Sequence, residues 1–175
     1  MKVFIVAMLC LWPTMAIHTV AQTFLTSLDQ LTTGYYRIYS LAYNATMAMS
    51  ETTTGSNNVF CDTPDNSDYM QVWYINVSAA TENSKTATIQ NIVSERWINR
   101  SSGNFHTHPT AMTFTVALTT DGFIIYNGYG LHHQESGHDV VSYSTSGYAS
   151  KWQIEAATID ETALAAQKAE YNGFA

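Results

Sequence analysis

The chain has 175 residues, a length that suits one domain. Apolar residues make up 46% and charged residues only 12%, and 49 Ser, Thr and Asn fill the gap, which excludes disorder, a coiled coil and a long helical bundle. With a net charge of −7, the few scattered basic residues form no phosphate-tracking groove, so non-specific nucleic-acid binding is excluded as well.

Met1-Lys2 is a short basic start, followed by an apolar run from Val3 to Trp12 and then Pro13. Thr19-Val20-Ala21 puts small residues at positions −3 and −1 before Gln22, which predicts a secretory signal peptide over 1–21, cleaved after Ala21. The run is too short for an anchor helix, and no later stretch reaches the ~18 apolar residues that a membrane span needs. The expected location is therefore secreted, cell-surface or periplasmic. Leu9 stands before Cys10 where a lipoprotein signal wants a small residue, so no lipid anchor is expected. Cleavage leaves Cys61 as the only cysteine, which rules out an intrachain disulfide and any CxxC-type metal or redox site.

From Gly34 to Ala157 the chain reads as short strands and turns. Strand signals lie at Tyr35–Tyr39, Gln71–Ile75, Thr86–Ile92, Thr113–Leu118, Phe123–Tyr126, Val140–Tyr143 and Trp152–Ile154. Turn clusters separate them, such as Thr63-Pro64-Asp65-Asn66, Ser101-Ser102-Gly103-Asn104, Asp121-Gly122 and Asn127-Gly128. Many short strands at close spacing mean an all-β sandwich or barrel.

An internal repeat narrows this choice. Gln71-Val72-Trp73-Tyr74-Ile75, Met112-Thr113-Phe114-Thr115-Val116 and Ser150-Lys151-Trp152-Gln153-Ile154 end alike, with an aromatic two residues before a β-branched residue. Both side chains then share one face of a strand. The aromatics are 41 and then 38 residues apart. Tyr36-Arg37-Ile38, Thr88-Ile89-Gln90 and Ile124-Ile125-Tyr126 open the repeats. Second strands read near Met47–Met49, Trp97-Ile98 and Leu131-His132, and third strands near Val59-Phe60, Phe105-His106 and Val140-Val141. The sum is three repeats of four short strands, at about 34–80, 86–120 and 121–157.

This is the outline of a β-trefoil over 31–157, a six-stranded barrel capped by three hairpins. The segment resembles the ricin-B-type lectin family, whose repeats close on Gln-x-Trp. Gln71-Val72-Trp73 matches that motif fully, Ser150-Lys151-Trp152 keeps the Trp, and Met112-Thr113-Phe114 keeps an aromatic. The whole segment is similar to ricin-B-like domains near the N-termini of exported multidomain Bacteroidetes proteins. The resemblance implies structural roles for Gln71, Trp73, Phe114 and Trp152 at the repeat closures. It also implies relatives that continue into another domain beyond Phe174-Ala175.

In that family a sugar sits in one repeat, held by an Asp from an early turn, an aromatic ring and a late Asn or Gln. Rings suit the apolar C–H faces of a sugar, and fixed polar groups suit its hydroxyls. The Asp position holds Asn44, Ser94-Glu95 and Asn127-Gly128 in the three repeats, none of them Asp. The third repeat offers the fullest set of carbohydrate contacts: Asn127, Tyr129, His133, Asp139, Tyr143 and Tyr148.

Other chemistry finds less support. His106, His108, His132, His133 and His138 lack a His-Glu-x-x-His pattern and read as locally bonded loop residues, so no metal and no cofactor is expected. Asp62, Asp65 and Asp68 have the alternation of a calcium turn, without its Gly or distant Glu. No nucleophile elbow, phosphate-cradling Gly loop or paired Cys nucleophile occurs, so no enzyme is expected. Sequons at Asn44, Asn76 and Asn99 matter only in a eukaryotic host.

Thr158-Ile159-Asp160-Glu161 reads as a capping box with Thr158 as N-cap, opening a helix over 158–172 that either packs on the barrel or acts as a spacer. The expected function is a non-catalytic carbohydrate-binding module of an exported protein, with a glycan or polysaccharide as partner. The alternatives are a sugar-silent trefoil that contacts another protein or a neighbouring domain, and a protease inhibitor of the Kunitz-type trefoil kind.

Overall fold

The protein is described by a computed structural model covering residues 22–43, 48–51, 57–101 and 103–173. The expected signal segment 1–21 and the Asn44 position lie outside the described residues. Strand alternation sorts the side chains. Among the described residues there are twelve strands: β1 Gly34–Ser40, β2 Ala48–Glu51, β3 Val59–Asp62, β4 Trp73–Ala80, β5 Lys85–Asn91, β6 Trp97–Ser101, β7 Asn104–His108, β8 Phe114–Thr119, β9 Gly122–Asn127, β10 Tyr129–His133, β11 Val140–Tyr143 and β12 Trp152–Ala156. One helix follows, α1 Glu161–Gly173.

Six of these strands close a ring of antiparallel pairs. β1 pairs β4, β4 pairs β5, β5 pairs β8, β8 pairs β9, β9 pairs β12, and β12 returns to β1. Each barrel strand sends two side chains inward, two residues apart: Tyr36 and Ile38, Trp73 and Ile75, Ala87 and Ile89, Phe114 and Val116, Phe123 and Ile125, Trp152 and Ile154. All twelve are buried, so the repeated aromatic-x-β-branched spacing is the barrel core itself.

The other six strands form the hairpins β2–β3, β6–β7 and β10–β11. They lean on one another. Val141 pairs with Asn104, Asn58 bridges to His106, and the Cys61 N–H donates to the His138 carbonyl at 2.8 Å. Met49, Ile98 and Leu131 carry the barrel core into this cap. A closed six-stranded barrel capped by three hairpins, built from a four-strand unit that repeats three times along the chain, is a β-trefoil.

The β8–β9 turn is Thr120-Asp121, one residue before the expected Asp121-Gly122, and Gly122 opens β9 opposite Thr119. Gly122 has φ of 147°, and a Cβ there would stand 2.8 Å from the Trp152 carbonyl oxygen, so only glycine fits. Two further expectations need correction. Gln71 is not in a strand but closes a 3-10 turn, Tyr69–Gln71, which Asp68 caps by accepting from the Met70 N–H at 2.8 Å. The N-cap of α1 is Asp160 and not Thr158. The Asp160 carboxylate accepts from the Thr162 and Ala163 N–H groups at 2.9 and 3.1 Å, while the Tyr69 hydroxyl accepts the Asp160 N–H at 2.8 Å. That tertiary contact fixes the helix start two residues later than the local motif.

α1 packs on the barrel. Leu164 joins Tyr69, Met70, Val72, Ile92 and Val93 in a second small core. Gln167 accepts from the Tyr69 N–H at 2.8 Å and donates to the Ser67 carbonyl at 2.6 Å. Lys168 pairs with Glu95. The helix thus bridges the closing turn of the first repeat and the opening turn of the second.

Candidate functional site

Register in the β10–β11 hairpin decides which third-repeat residues face outward. Gly130 lies opposite Tyr143, His132 opposite Val141, and His133 opposite Val140. Leu131 and His133 share the inner face, so His132 and Tyr143 share the outer one. The His132 and Tyr143 rings lie 4.7 Å apart at 43°. Behind them, Ser150 Oγ donates to the Ser144 carbonyl at 2.6 Å and lies 2.9 Å from His132 Nδ1. The single hydroxyl proton is already committed, so His132 Nδ1 carries the hydrogen of that contact and Nε2 is an acceptor. Partial burial lowers the His132 pKa, which keeps this neutral form near pH 7.

The loop after β11 completes the surface. A 3-10 turn, Tyr148–Ser150, begins with Tyr148, whose ring is exposed. Ser144 and Ser146 hydroxyls bond each other at 2.8 Å. Thr145 lies against Gly130, where an added Cβ would meet its Cγ2 at 3.1 Å. Tyr143, His132 and the Ser144–Ser146 hydroxyls therefore form one outward patch, and exposed Tyr148 stands on the turn that Ser150 ties to His132 and Ser144.

The other sequence candidates separate from this patch. Tyr129 is exposed, but its ring lies beneath the Arg100 guanidinium, 4.8 Å from the centroid. The Asn127 amide donates to the Thr113 carbonyl at 2.7 Å, tying the turn to the preceding repeat. Asp139 is half-buried at the far end of the hairpin, and its carbonyl accepts from the Gln134 N–H at 2.9 Å. His133 is a correction. It is fully buried, and its Nε2 lies 3.1 Å from His138 Nδ1, so no surface ligand reaches it. Burial pushes its pKa down to about 4. Period-2 alternation with Leu131 carries that signal in the sequence, and the same alternation points to His132, which sequence reasoning missed.

The closure residues sit in the core. The Trp73 indole N–H donates to the Met49 carbonyl at 2.8 Å, and that of Trp152 donates to the Leu131 carbonyl at 3.0 Å. Phe114 fills the same place in the second repeat without a donor. Gln71 donates to the Thr63 carbonyl at 2.8 Å and accepts from the Asp65 N–H at 2.9 Å. The same oxygen lies 3.4 Å from the buried Arg37 guanidinium.

The remaining polar clusters have local duties. Asp62, Asp65 and Asp68 each accept a nearby backbone N–H, from Thr63, Ser67 and Met70. Among the described residues no three potential metal ligands converge. Glu51 is buried and accepts from Ser94, Thr107 and Tyr171 hydroxyls, and burial raises its pKa. Ser94 and Glu95, the second-repeat opening turn, are thus engaged by Glu51 and by Lys168 of α1. Cys61 is buried, and desolvation raises its thiol pKa, so it is no nucleophile.

No known family profile matches the sequence, and no curated protein does. Solved structures do match. The Rhizoctonia solani agglutinin is 16% identical with a TM-score of 0.61, over 72% of this chain and 96% of that one. A Polyporus squamosus lectin bound to a Neu5Ac-containing epitope is 17% identical with a TM-score of 0.59, over 72% of this chain and 50% of that one. SeviL, bound to an asialo-GM1 saccharide, is 14% identical with a TM-score of 0.56, over 73% of this chain and all of that one. At these identities the likeness establishes the β-trefoil fold.

Proposed function

We propose that this chain is a non-catalytic β-trefoil module that binds carbohydrate outside the cytoplasm. The observation that carries the reading is the third-repeat patch, where the exposed Tyr143 packs against His132 beside the Ser144–Ser146 hydroxyls, and exposed Tyr148 opens the adjoining 3-10 turn. A sugar needs this pairing of aromatic area with fixed polar partners. The glycan-binding proteins of the same fold support the ligand class. Export rests on the basic start, apolar run and small-residue site within residues 1–21. A single shallow patch of this kind binds at about millimolar Kd and gains strength through multivalency.

A second reading, a sugar-silent module that contacts a protein or a neighbouring domain, is favoured by the second repeat. In its opening turn Ser94 is engaged by Glu51 and Glu95 pairs with Lys168 of α1, and Asp is absent from the corresponding turn of the third. A broad glycan and polysaccharide array separates the two. Binding that Tyr143→Ala or Tyr148→Ala abolishes supports the patch. Binding that survives both changes keeps the lectin reading and moves its site. A negative array from folded protein favours the sugar-silent reading.

A further inference from the structure

The barrel wall carries a second set of ligand-type groups, created by register across three strands. On the outer face, Tyr35 of β1 lies directly opposite Tyr74 of β4, and Tyr74 lies directly opposite Gln90 of β5. Cross-strand partners point to the same side, so two phenols and an amide form one row. The Tyr35 and Tyr74 rings are 5.5 Å apart at 50°, and Tyr35 remains 43% exposed.

α1 raises a wall beside this row. Leu164 and Lys168 of the helix, with Glu95 of the β5–β6 turn, complete a groove of about 430 Å³. That falls within the range of small-molecule sites, roughly 300–1,000 Å³. The corresponding row in the second repeat is Thr86–Thr115–Tyr126, with one ring. In the third repeat Gln153 faces Tyr39, and Tyr39 is fully buried. The first-repeat wall is thus the one that combines paired rings with an open groove.

The polar groups define the occupant. Gln90 Nε2 donates to the Glu95 carbonyl at 2.7 Å, which fixes the amide and leaves Oε1 as an acceptor. Glu95 and Lys168 neutralise each other as an ion pair, yet keep a carboxylate oxygen and ammonium protons for further bonds. A charged ligand would meet one repulsive partner, whereas a neutral polyol meets donors and acceptors with no net charge. Its C–H face would lie on the two rings.

We propose that this groove is a second carbohydrate subsite, taking one neutral pyranose ring stacked on Tyr35 and Tyr74 and hydrogen-bonded by Gln90, Glu95 and Lys168. The ligand class rests on the carbohydrate reading above, while the surface is separate from the third-repeat patch. α1 is then a wall of a binding site as well as a brace.

The test uses the chain labelled with 3-fluorotyrosine, with each resonance assigned by Tyr→Phe substitution. Neutral methyl glycosides of galactose, glucose, mannose and N-acetylglucosamine are titrated singly, up to about 50 mM for millimolar sites. At least one should shift the Tyr35 and Tyr74 resonances saturably. Tyr35→Ala should weaken that binding roughly tenfold, the equivalent of one stacking contact, as read at Tyr74. Lys168→Ala should weaken it too, with the Tyr143 and Tyr148 signals unchanged as the fold control. Shifts confined to Tyr143 and Tyr148 would overturn the groove and leave the third-repeat patch standing. Shifts confined to Tyr35 and Tyr74 would establish the groove and reject the patch. No saturable shift anywhere in the panel would overturn both.

Discussion

Replacing Trp73 with Phe copies into the first repeat what the second repeat already has at Phe114, so the perturbation stays within the fold's own vocabulary. Trp73 is fully buried, and its indole N–H reaches the Met49 carbonyl at 2.8 Å. Losing that donor inside the core costs about 1–3 kcal/mol. Phe also lacks about three ring atoms, and at ~0.8 kcal/mol per buried CH₂ with a partly relaxed cavity this adds roughly 2 kcal/mol. The expected destabilisation is therefore about 4 kcal/mol, and for a chain of this size the melting temperature should fall by about 10 °C. Urea unfolding followed by circular dichroism should show a lower midpoint and an unchanged slope. Trp152→Phe should behave alike, because its indole donates to the Leu131 carbonyl in the equivalent place. Phe114→Leu also removes three buried carbons but puts no hydrogen bond at stake, so it should cost only the cavity share, about 2 kcal/mol. If both Trp variants stay within about 1 kcal/mol of the parent, the view of the indole–carbonyl link as an anchor between barrel and hairpin cap is wrong.

Two further perturbations probe the histidine pair and the helix. His133 has a folded-state pKa of about 4 against 6.5 when unperturbed, so the folded chain binds fewer protons between those values. Its contribution is fully present above pH 6.5 and is lost as the pH falls toward 4, by up to about 3 kcal/mol. Urea midpoints measured across that window should drop in the parent and flatten in His133→Gln; equal profiles would refute the assignment. Gln167→Ala removes the bonds to the Tyr69 N–H and the Ser67 carbonyl, so amides of α1 should exchange about tenfold faster while the barrel strands keep their protection. Uniform acceleration across the barrel would instead make the helix part of the global unfolding unit.

Local patterning made the strands legible. Every barrel strand repeats an inward pair at i and i+2, and the hairpin strands are short and bounded by turn residues, so order and approximate bounds could be read directly. The aromatic of each closure gave the threefold period because its burial depends on strand alternation alone. What escaped depends on distant partners. Asp160 displaces Thr158 as N-cap because the Tyr69 hydroxyl, ninety-one residues away, takes its N–H. Gln71 leaves the strand because the turn it closes is held by Asp68 and by its own bonds to Thr63 and Asp65. The buried Glu51 cluster joins β2, β7, the β5–β6 turn and α1, and no sequence window contains all four. The Tyr35–Tyr74–Gln90 row exists only once β1, β4 and β5 are in register. The inward face of His133 is legible in the sequence, since it alternates in step with Leu131, although its polar ring suits a sugar contact equally well.

The pairing of β1 with β12 also governs how the chain can be born. Tyr36 meets Ala156, 120 residues later, and the ring stays open until that last strand arrives. A chain emerging from its N-terminus can fold hairpins but not the barrel, and one edge of Gly34–Ser40 stays unpaired until β12 has been made. Such an edge is a template for pairing with other chains. Folding dominated by distant contacts runs on the order of milliseconds to seconds, so the exposed interval is long on a molecular scale. Crowding of unfinished chains, more than loss of contacts in the finished one, is then the stage at which production of this protein is most exposed to failure.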